Sequence, residues 1–197
     1  IGGELRPILS SKPERQDVAF GNLTNGITGI SRAVMRLTKL EQFYIANAPI
    51  TDEFFVEVAE DSAFYAERDT WSWAEFENLL DVEIYNCAQL TKLPLDLLCG
   101  APELQSLNLS MNQGIAGKQL LSDWEAIICG ASGADIQILY FNSCNLEETP
   151  DYSHLSRMTK LGLLDLSNNK LRKIHPFGKE IFPTTLYYDN NRIESIA

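Results

Sequence analysis

The sequence predicts an α/β fold of one kind: a right-handed βα solenoid, with a parallel sheet on its concave face and helices or irregular segments along its convex face. Two observations carry this. A short frame recurs six times, reading apolar, two residues, apolar, one residue, apolar, two residues, then Asn, Cys or Ala. Recurrence at a nearly fixed period is the mark of stacked repeats. The apolar slots also keep their character from copy to copy, at the spacing that alternation along a strand requires. The clearest copy is Leu161-Gly162-Leu163-Leu164-Asp165-Leu166-Ser167-Asn168-Asn169-Lys170-Leu171.

In chain order the frames start at Leu40, Leu79, Leu104, Ile136, Leu161 and Pro183, at intervals of 39, 25, 32, 25 and 22 residues. Each predicts a short parallel strand whose first, fourth and sixth positions point into the core. The fourth-position column is Phe43, Val82, Leu107, Leu139, Leu164 and Leu186; the sixth is Ile45, Ile84, Leu109, Phe141, Leu166 and Tyr188. The ninth position holds Ala48, Cys87, Asn112, Cys144, Asn169 and Asn191. An Asn there would satisfy buried backbone groups between turns, and Cys is a small substitute that packs well. A seventh, degenerate frame starts near Asp17, with Phe20, Asn25 and Ile27 fitting and Asn22 falling in an apolar slot. Residues 1–16 therefore read as an N-terminal extension and residues 17–197 as the repeat domain.

The segments between frames should return along the convex side. Thr91 to Gly100 reads as a short helix closed by its Gly. Ser122-Asp123-Trp124-Glu125 is a capping box, and the helix it opens, stopped by Gly130, accounts for the long third interval, from Leu104 to Ile136. The longest interval holds a helical insert over residues 51–78. One stretch opens at Thr51-Asp52-Glu53, a second is capped by Ser72-Trp73-Ala74-Glu75, and Asp61 to Thr70 connect them. Trp71 and Trp73 read as local core under the insert or as an exposed rim.

Bulk properties narrow the function. The chain has 197 residues, 45% of them hydrophobic, which is enough for one solenoid. Its net charge of −11 repels phosphate backbones, so no nucleic-acid partner is expected. There is no basic cluster to dock on anionic lipid and no apolar run that reaches a membrane span. Ile1-Gly2-Gly3-Glu4 is not a signal peptide. The abrupt end after Ile193 to Ala197 leads us to expect a fragment of a longer protein.

No catalytic constellation emerges. Cys87 and Cys144 share the ninth position two strands apart, roughly 10 Å at the usual strand spacing, which is beyond disulfide reach. Cys99 and Cys129 each precede a Gly at a predicted helix end, and four buried free thiols are expected. With no CxxC, and with His154 and His175 in loops, no metal is expected. The nucleophile-elbow, zinc-protease and phosphate-loop motifs are missing. The chain is therefore read as a non-enzyme without cofactors. Asn22-Leu23-Thr24 and Asn108-Leu109-Ser110 match the glycosylation acceptor, the second inside a strand frame.

Binding is left to the concave face, where strand residues alternate with the core positions. The third-position column is Gln42, Asp81, Ser106, Ile138, Leu163 and Thr185. The fifth is Tyr44, Glu83, Asn108, Tyr140, Asp165 and Tyr187, and the seventh is Ala46, Tyr85, Ser110, Asn142, Ser167 and Asp189. From these, the candidate ligand-binding residues are Tyr44, Asp81, Glu83, Tyr85, Asn108, Ile138, Tyr140, Asn142, Leu163, Asp165, Tyr187 and Asp189. Tyrosine brings rigid contact area and a hydroxyl and is enriched at binding hot spots. It also suits strands as such, so both readings stand at this point. The acids favour a basic or neutral protein ligand; a glycan that stacks on the same tyrosines is the rival, and a structural spacer that presents neighbouring domains is a third reading.

The frames resemble the leucine-rich repeat family over roughly residues 17–197. Ile27-Thr28-Gly29-Ile30-Ser31, Leu37 to Ile45, Trp71-Ser72-Trp73, Tyr85-Asn86-Cys87, Leu90-Thr91-Lys92-Leu93-Pro94 and Leu161 to Asp165 are similar to a group from gut Bacteroidetes. That group comprises presumed surface or secreted repeat proteins, often with Ig-like modules ahead of the repeats. The resemblance implies an extracellular or surface-anchored lipoprotein-type location and no catalytic residues. A cytoplasmic scaffold is the alternative, since free thiols fit a reducing compartment equally well. The chain departs from the ideal repeat at Ala48, where Asn is expected, and at Pro183, where Leu is.

Overall fold

The computed structural model describes residues 16–21, 39–52, 76–92, 101–115, 135–149, 158–174 and 183–196. Its strands are β1 (Gln16–Gly21), β2 (Leu40–Ala46), β3 (Asp81–Tyr85), β4 (Ser106–Asn108), β5 (Ile138–Tyr140), β6 (Leu163–Asp165), β7 (Lys173–Ile174), β8 (Thr185–Tyr187) and β9 (Ser195–Ile196). Seven of them form one sheet in the order β1-β2-β3-β4-β5-β6-β8, and every pairing is parallel. The expected convex helices, the greater part of the 51–78 insert, Cys99, Cys129, His154 and His175 lie outside the described residues.

The frame sets the register. Phe43, Val82, Leu107, Leu139, Leu164 and Leu186 are successive partners across the sheet, so each fourth position meets the next. The first- and sixth-position columns join them in one core, in which Leu40, Ile45, Leu79, Ile84, Leu104, Leu109, Ile136, Phe141 and Leu166 are fully buried. Leu186 and Tyr188, in the last frame, are partly buried against it.

One frame is displaced from its expected place. Asp17 pairs with Gln42, a third-position residue, so Val18 and Phe20 stand beside Phe43 and Ile45. From its third position on, the frame therefore runs two residues earlier than a start at Asp17 implies, with a register irregularity between Gln16, which pairs with Leu40, and Asp17. A shift of two leaves every residue on its original face, because the strand period is two; apolar alternation alone does not detect it. By count, Asn22 then moves from an apolar slot to the eighth place of the frame.

The eighth place has a conformational requirement that composition does not announce. Asn47, Asn86, Met111, Ser143, Asn168 and Asn190 all adopt positive φ, between 52° and 62°. The chain leaves each strand through a left-handed residue, and Asn tolerates that region better than other non-glycine residues. Just beyond, the repeats at Leu79 and Leu104 carry one extra residue before their next buried apolar side chain, Leu90 and Ile115. A short 3-10 turn, Gln113–Ile115, takes up the extra residue in the second of these. A Cβ on Gly114 would come within 2.4 Å of the Leu90 carbonyl oxygen, so the stacking of these two turns admits only glycine.

From the repeat at Leu104 onward, the ninth position locks each repeat to the one before it. Asn169 is buried; its Nδ2 donates to the carbonyls of Leu166 at 3.0 Å and Phe141 at 2.9 Å, and its Oδ1 accepts from Cys144 N at 2.9 Å and Leu146 N at 3.0 Å. Asn112 does the same for Leu109 O, Ile84 O and Cys87 N, and Asn191 for Tyr188 O, Leu166 O and Leu171 N. Cysteine does more here than fill space. Cys144 Sγ donates to Leu109 O at 3.1 Å, the sixth-position carbonyl of the preceding repeat, which is the carbonyl an Asn would bond.

The backbone is extended a second time in each of the last two repeats. Lys173–Ile174 and Ser195–Ile196 occupy the same places in their frames and pair as a second, parallel two-stranded sheet. A strand advances about 3.3 Å per residue against 1.5 Å for a helix, so extended backbone suits the shortest interval. Nearer the start, the Asp52 carboxylate accepts from Thr91 N at 2.7 Å, Lys92 N at 2.9 Å and Thr91 Oγ1 at 2.6 Å, tying the first full repeat to the second. Burial alone would raise its pKa. The Thr91 hydroxyl, the two amides and the Lys92 charge outweigh that and hold Asp52 below its ordinary 3.8.

The ladder yields a graded expectation. Asn169→Ala leaves the Cys144 and Leu146 amides without their acceptor and should destabilise the chain by about 3 kcal/mol. Asn169→Cys, which restores a donor towards Phe141 O, should lose clearly less. Urea midpoints of the two variants check this; equal losses would show that the thiol contributes packing alone.

Candidate functional site

Ten of the twelve candidate residues lie on paired strands, on the sheet face opposite the core, and the pairing aligns them; Asn142 and Asp189 follow the ends of β5 and β8. In the fifth-position column Tyr44, Glu83, Asn108, Tyr140, Asp165 and Tyr187 are consecutive partners. In the third, Asp81, Ser106, Ile138, Leu163 and Thr185 are. The three columns contain Asp81, Glu83, Asp165 and Asp189 and no Lys or Arg.

Alignment does not make the residues equivalent. Tyr44 and Tyr187 are the open aromatics, 38% and 46% exposed, whereas Tyr85 and Tyr140 are half-buried. The Tyr85 hydroxyl donates to Met111 Sδ, which turns this ring towards the eighth-position edge of the next repeat. Tyr140 stands between Asn108 and Asp165, with Ile138 and Leu163 paired beside it. The tyrosines thus form no single cluster.

The seventh column departs from the simple outward reading. Ala46, Ser110 and Ser167 are 2%, 1% and 6% exposed, so small residues there form a floor. Two fifth-position side chains fold over that floor. Asn108 Oδ1 accepts from Ser110 N at 3.0 Å, and Asp165 Oδ1 accepts from Ser167 N at 2.9 Å. Asn142 Nδ2 bridges Ser110 Oγ at 2.8 Å and Asp165 Oδ2 at 3.2 Å. Asn108, Asn142 and Asp165 therefore brace the face across β4, β5 and β6.

The acids on β3 are differently placed. Asp81 Oδ1 is buried and has no hydrogen-bond partner among the described residues. Burial, and next the neighbouring charge of Asp81, push Glu83 above its ordinary carboxyl value of 4.5. Two like charges two residues apart on one strand face are held partly out of water, which opposes stability.

A rim of amides, which apolar columns do not announce, borders the same face. Asn86 Nδ2 donates to Asn47 Oδ1 at 2.7 Å, and Asn190 Nδ2 to Asn168 Oδ1 at 2.9 Å. Its signal in the sequence was the return of Asn at the eighth place of four frames.

Chemistry of other kinds finds little support. Cys87 and Cys144 are free and buried. Burial is the main cause that raises both thiols; Cys144 is pushed up to about 12, against partly opposing amides of Asn112 and Met111, and stays protonated. Among the described residues no group of His, Cys, Asp and Glu could hold a metal ion, and no helix is long and apolar enough to cross a membrane.

No family model matches the chain, and no curated protein does. Among solved structures, it is similar to a leucine-rich repeat protein from Bacteroides eggerthii DSM 20697, with 40% identity over 88% of this chain and 28% of that one, at a TM-score of 0.68. A leucine-rich repeat protein from Bacteroides thetaiotaomicron VPI-5482 is 38% identical over 89% of this chain and 23% of that one, at a TM-score of 0.67. The chain thus spans about a quarter of the length of these relatives.

The strain at β3 has a measurable sign. A carboxyl whose folded value is raised makes the folded state bind protons more tightly than the unfolded one, so its penalty is present above the folded value and is relieved as pH falls towards 4.5. Glu83→Gln should therefore raise the Tm by about 1 °C at neutral pH, and the gain should vanish in acid. Thermal melts of both proteins across pH check this, and a variant less stable at neutral pH would contradict it.

Proposed function

We propose, for a chain that is a leucine-rich repeat protein, that it acts as a non-enzymatic binding module and recognises a protein through the concave face of its parallel sheet. One observation carries the reading: the outward columns bring open tyrosines, half-buried aliphatics and uncompensated acids into register on a braced, rigid surface. A preformed surface loses little freedom on binding. Side chains kept at a cost to stability are those that function retains. The acids, with no Lys or Arg among them, favour a basic or neutral partner and an association weakened by salt.

The place of action in this proposal is the cell surface or the outside of a bacterium. It rests on the resemblance of the sequence motifs to a Bacteroidetes group of presumed surface or secreted repeat proteins. Protease treatment of intact cells should degrade the protein; full protection inside the cell would sink this part and favour a cytoplasmic scaffold.

A glycan ligand is the second reading, because Tyr44 and Tyr187 are open enough to stack on sugar rings. The two are separated by screening the chain and its Tyr44→Ala/Tyr140→Ala/Tyr187→Ala variant against a displayed protein-domain library and a glycan array. We expect protein binding that the triple variant weakens by at least about tenfold, or 1.4 kcal/mol, and array signals at background. Saccharide binding that Tyr140→Ala abolishes would overturn the protein reading.

A further inference from the structure

We infer that the partner presents a Lys or Arg side chain about 10 Å from an aliphatic or aromatic one, the cation meeting Asp81 and Glu83 on β3 and the apolar group meeting Ile138, Tyr140 and Leu163 on β5 and β6. This rests on the reading of the concave face as protein-binding and makes it specific.

The face is divided along the sheet. At β3 stand two acids; at β4 the partners in register are Ser106 and Asn108, polar and uncharged; at β5 and β6 they are Ile138, Tyr140 and Leu163. Two strand spacings separate the acids from the apolar group, about 10 Å. Of the four acids in the outward columns, Asp165 already accepts from Ser167 N and Asn142 Nδ2, so its charge is largely answered within the chain. Asp81 is the opposite case, with a buried oxygen that no described residue bonds. Its neighbour Glu83 feels both burial and the Asp81 charge. A cation brought by a partner would sit against the accessible sides of the Asp81 and Glu83 carboxylates and relieve the repulsion between them. The three columns contain no Lys or Arg that could do so from within.

At the other end of the footprint, Ile138 and Leu163 are paired neighbours on adjacent strands with Tyr140 alongside, all half-buried, so they offer a shallow apolar seat. Burying such a seat against an aliphatic or aromatic side chain is favourable without any charge. A sugar offers no cation to the acids, and a nucleic acid brings the wrong charge, so a polypeptide is the occupant that satisfies both ends.

The probe is a library of random dodecapeptides displayed on phage and selected on the 197-residue chain at low salt. The most enriched peptide is then synthesised, and its Kd is measured for the wild type, Glu83→Gln, Asp81→Asn, Ile138→Ser and Tyr140→Ala. Enriched peptides should combine Lys or Arg with an aliphatic or aromatic residue. Glu83→Gln should weaken binding by at least about tenfold even though it stabilises the fold, so misfolding is no explanation of the loss. Replacing the peptide's basic residue with norleucine should remove the difference between wild type and Glu83→Gln. Binding that survives at Glu83 and Asp81 but is lost in Tyr140→Ala overturns this footprint and leaves the concave-face reading standing. Binding indifferent to all four substitutions, or no enrichment at all, overturns both.

Discussion

The hydrogen bonds of the ninth position are the constraint on which the rest depends. A parallel sheet whose strands are only three residues long, as at β4, β5, β6 and β8, supplies few ladder bonds of its own. Immediately past each strand the chain must turn inward, where unpaired amides and carbonyls would be costly to bury. Asn112, Asn169 and Asn191 answer that need with one side chain per repeat, each donating to its own repeat and to the one before, and accepting from the latter. Because each bond crosses a repeat boundary, it holds the fourth- and sixth-position columns in register. The left-handed eighth residue delivers the ninth side chain into place.

Register is what the outward face inherits. If one repeat slipped against its neighbour by a single residue, Tyr140 would exchange places with a core side chain. The same locking explains why the face is rigid enough to hold acids against their own repulsion at Asp81 and Glu83. It also has a floor: Ala46, Ser110 and Ser167 close under the larger side chains, and Asn142 ties neighbouring strands from above. The binding reading rests on this contrast between side chains used for bracing and side chains left without a partner.

Periodicity made most of the sheet legible, because a strand's period of two assigns each residue a face. It assigns no depth. Asp81 and Asp165 are both outward acids, yet Asp165 is bonded to Ser167 and Asn142 whereas Asp81 Oδ1 has no partner among the described residues. Tyr85 counts with Tyr44 as an outward tyrosine, yet its hydroxyl reaches Met111. The frame near Asp17 was misplaced by two residues for the same reason, since an even shift preserves faces. Composition makes Cys144 a filler, because packing is what a small apolar side chain usually offers; its bond to Leu109 O depends on which carbonyl the preceding repeat presents. The bonds of Asp52 to Thr91 and Lys92 are a partnership set by stacking some forty residues apart, which local sequence does not announce.

Amide hydrogen exchange tests the ladder most directly. The amides of Cys87, Cys144, Leu146 and Leu171 lie beyond their strands and donate to the side chains of Asn112, Asn169 and Asn191. If these side chains hold the repeats together, the four amides should exchange as slowly as the strand-end amide of Phe141, which donates to Asp165 O. Exchange at the rate of exposed, unbonded loop amides would contradict the account, and would leave the register of the outward face to be set by apolar packing alone.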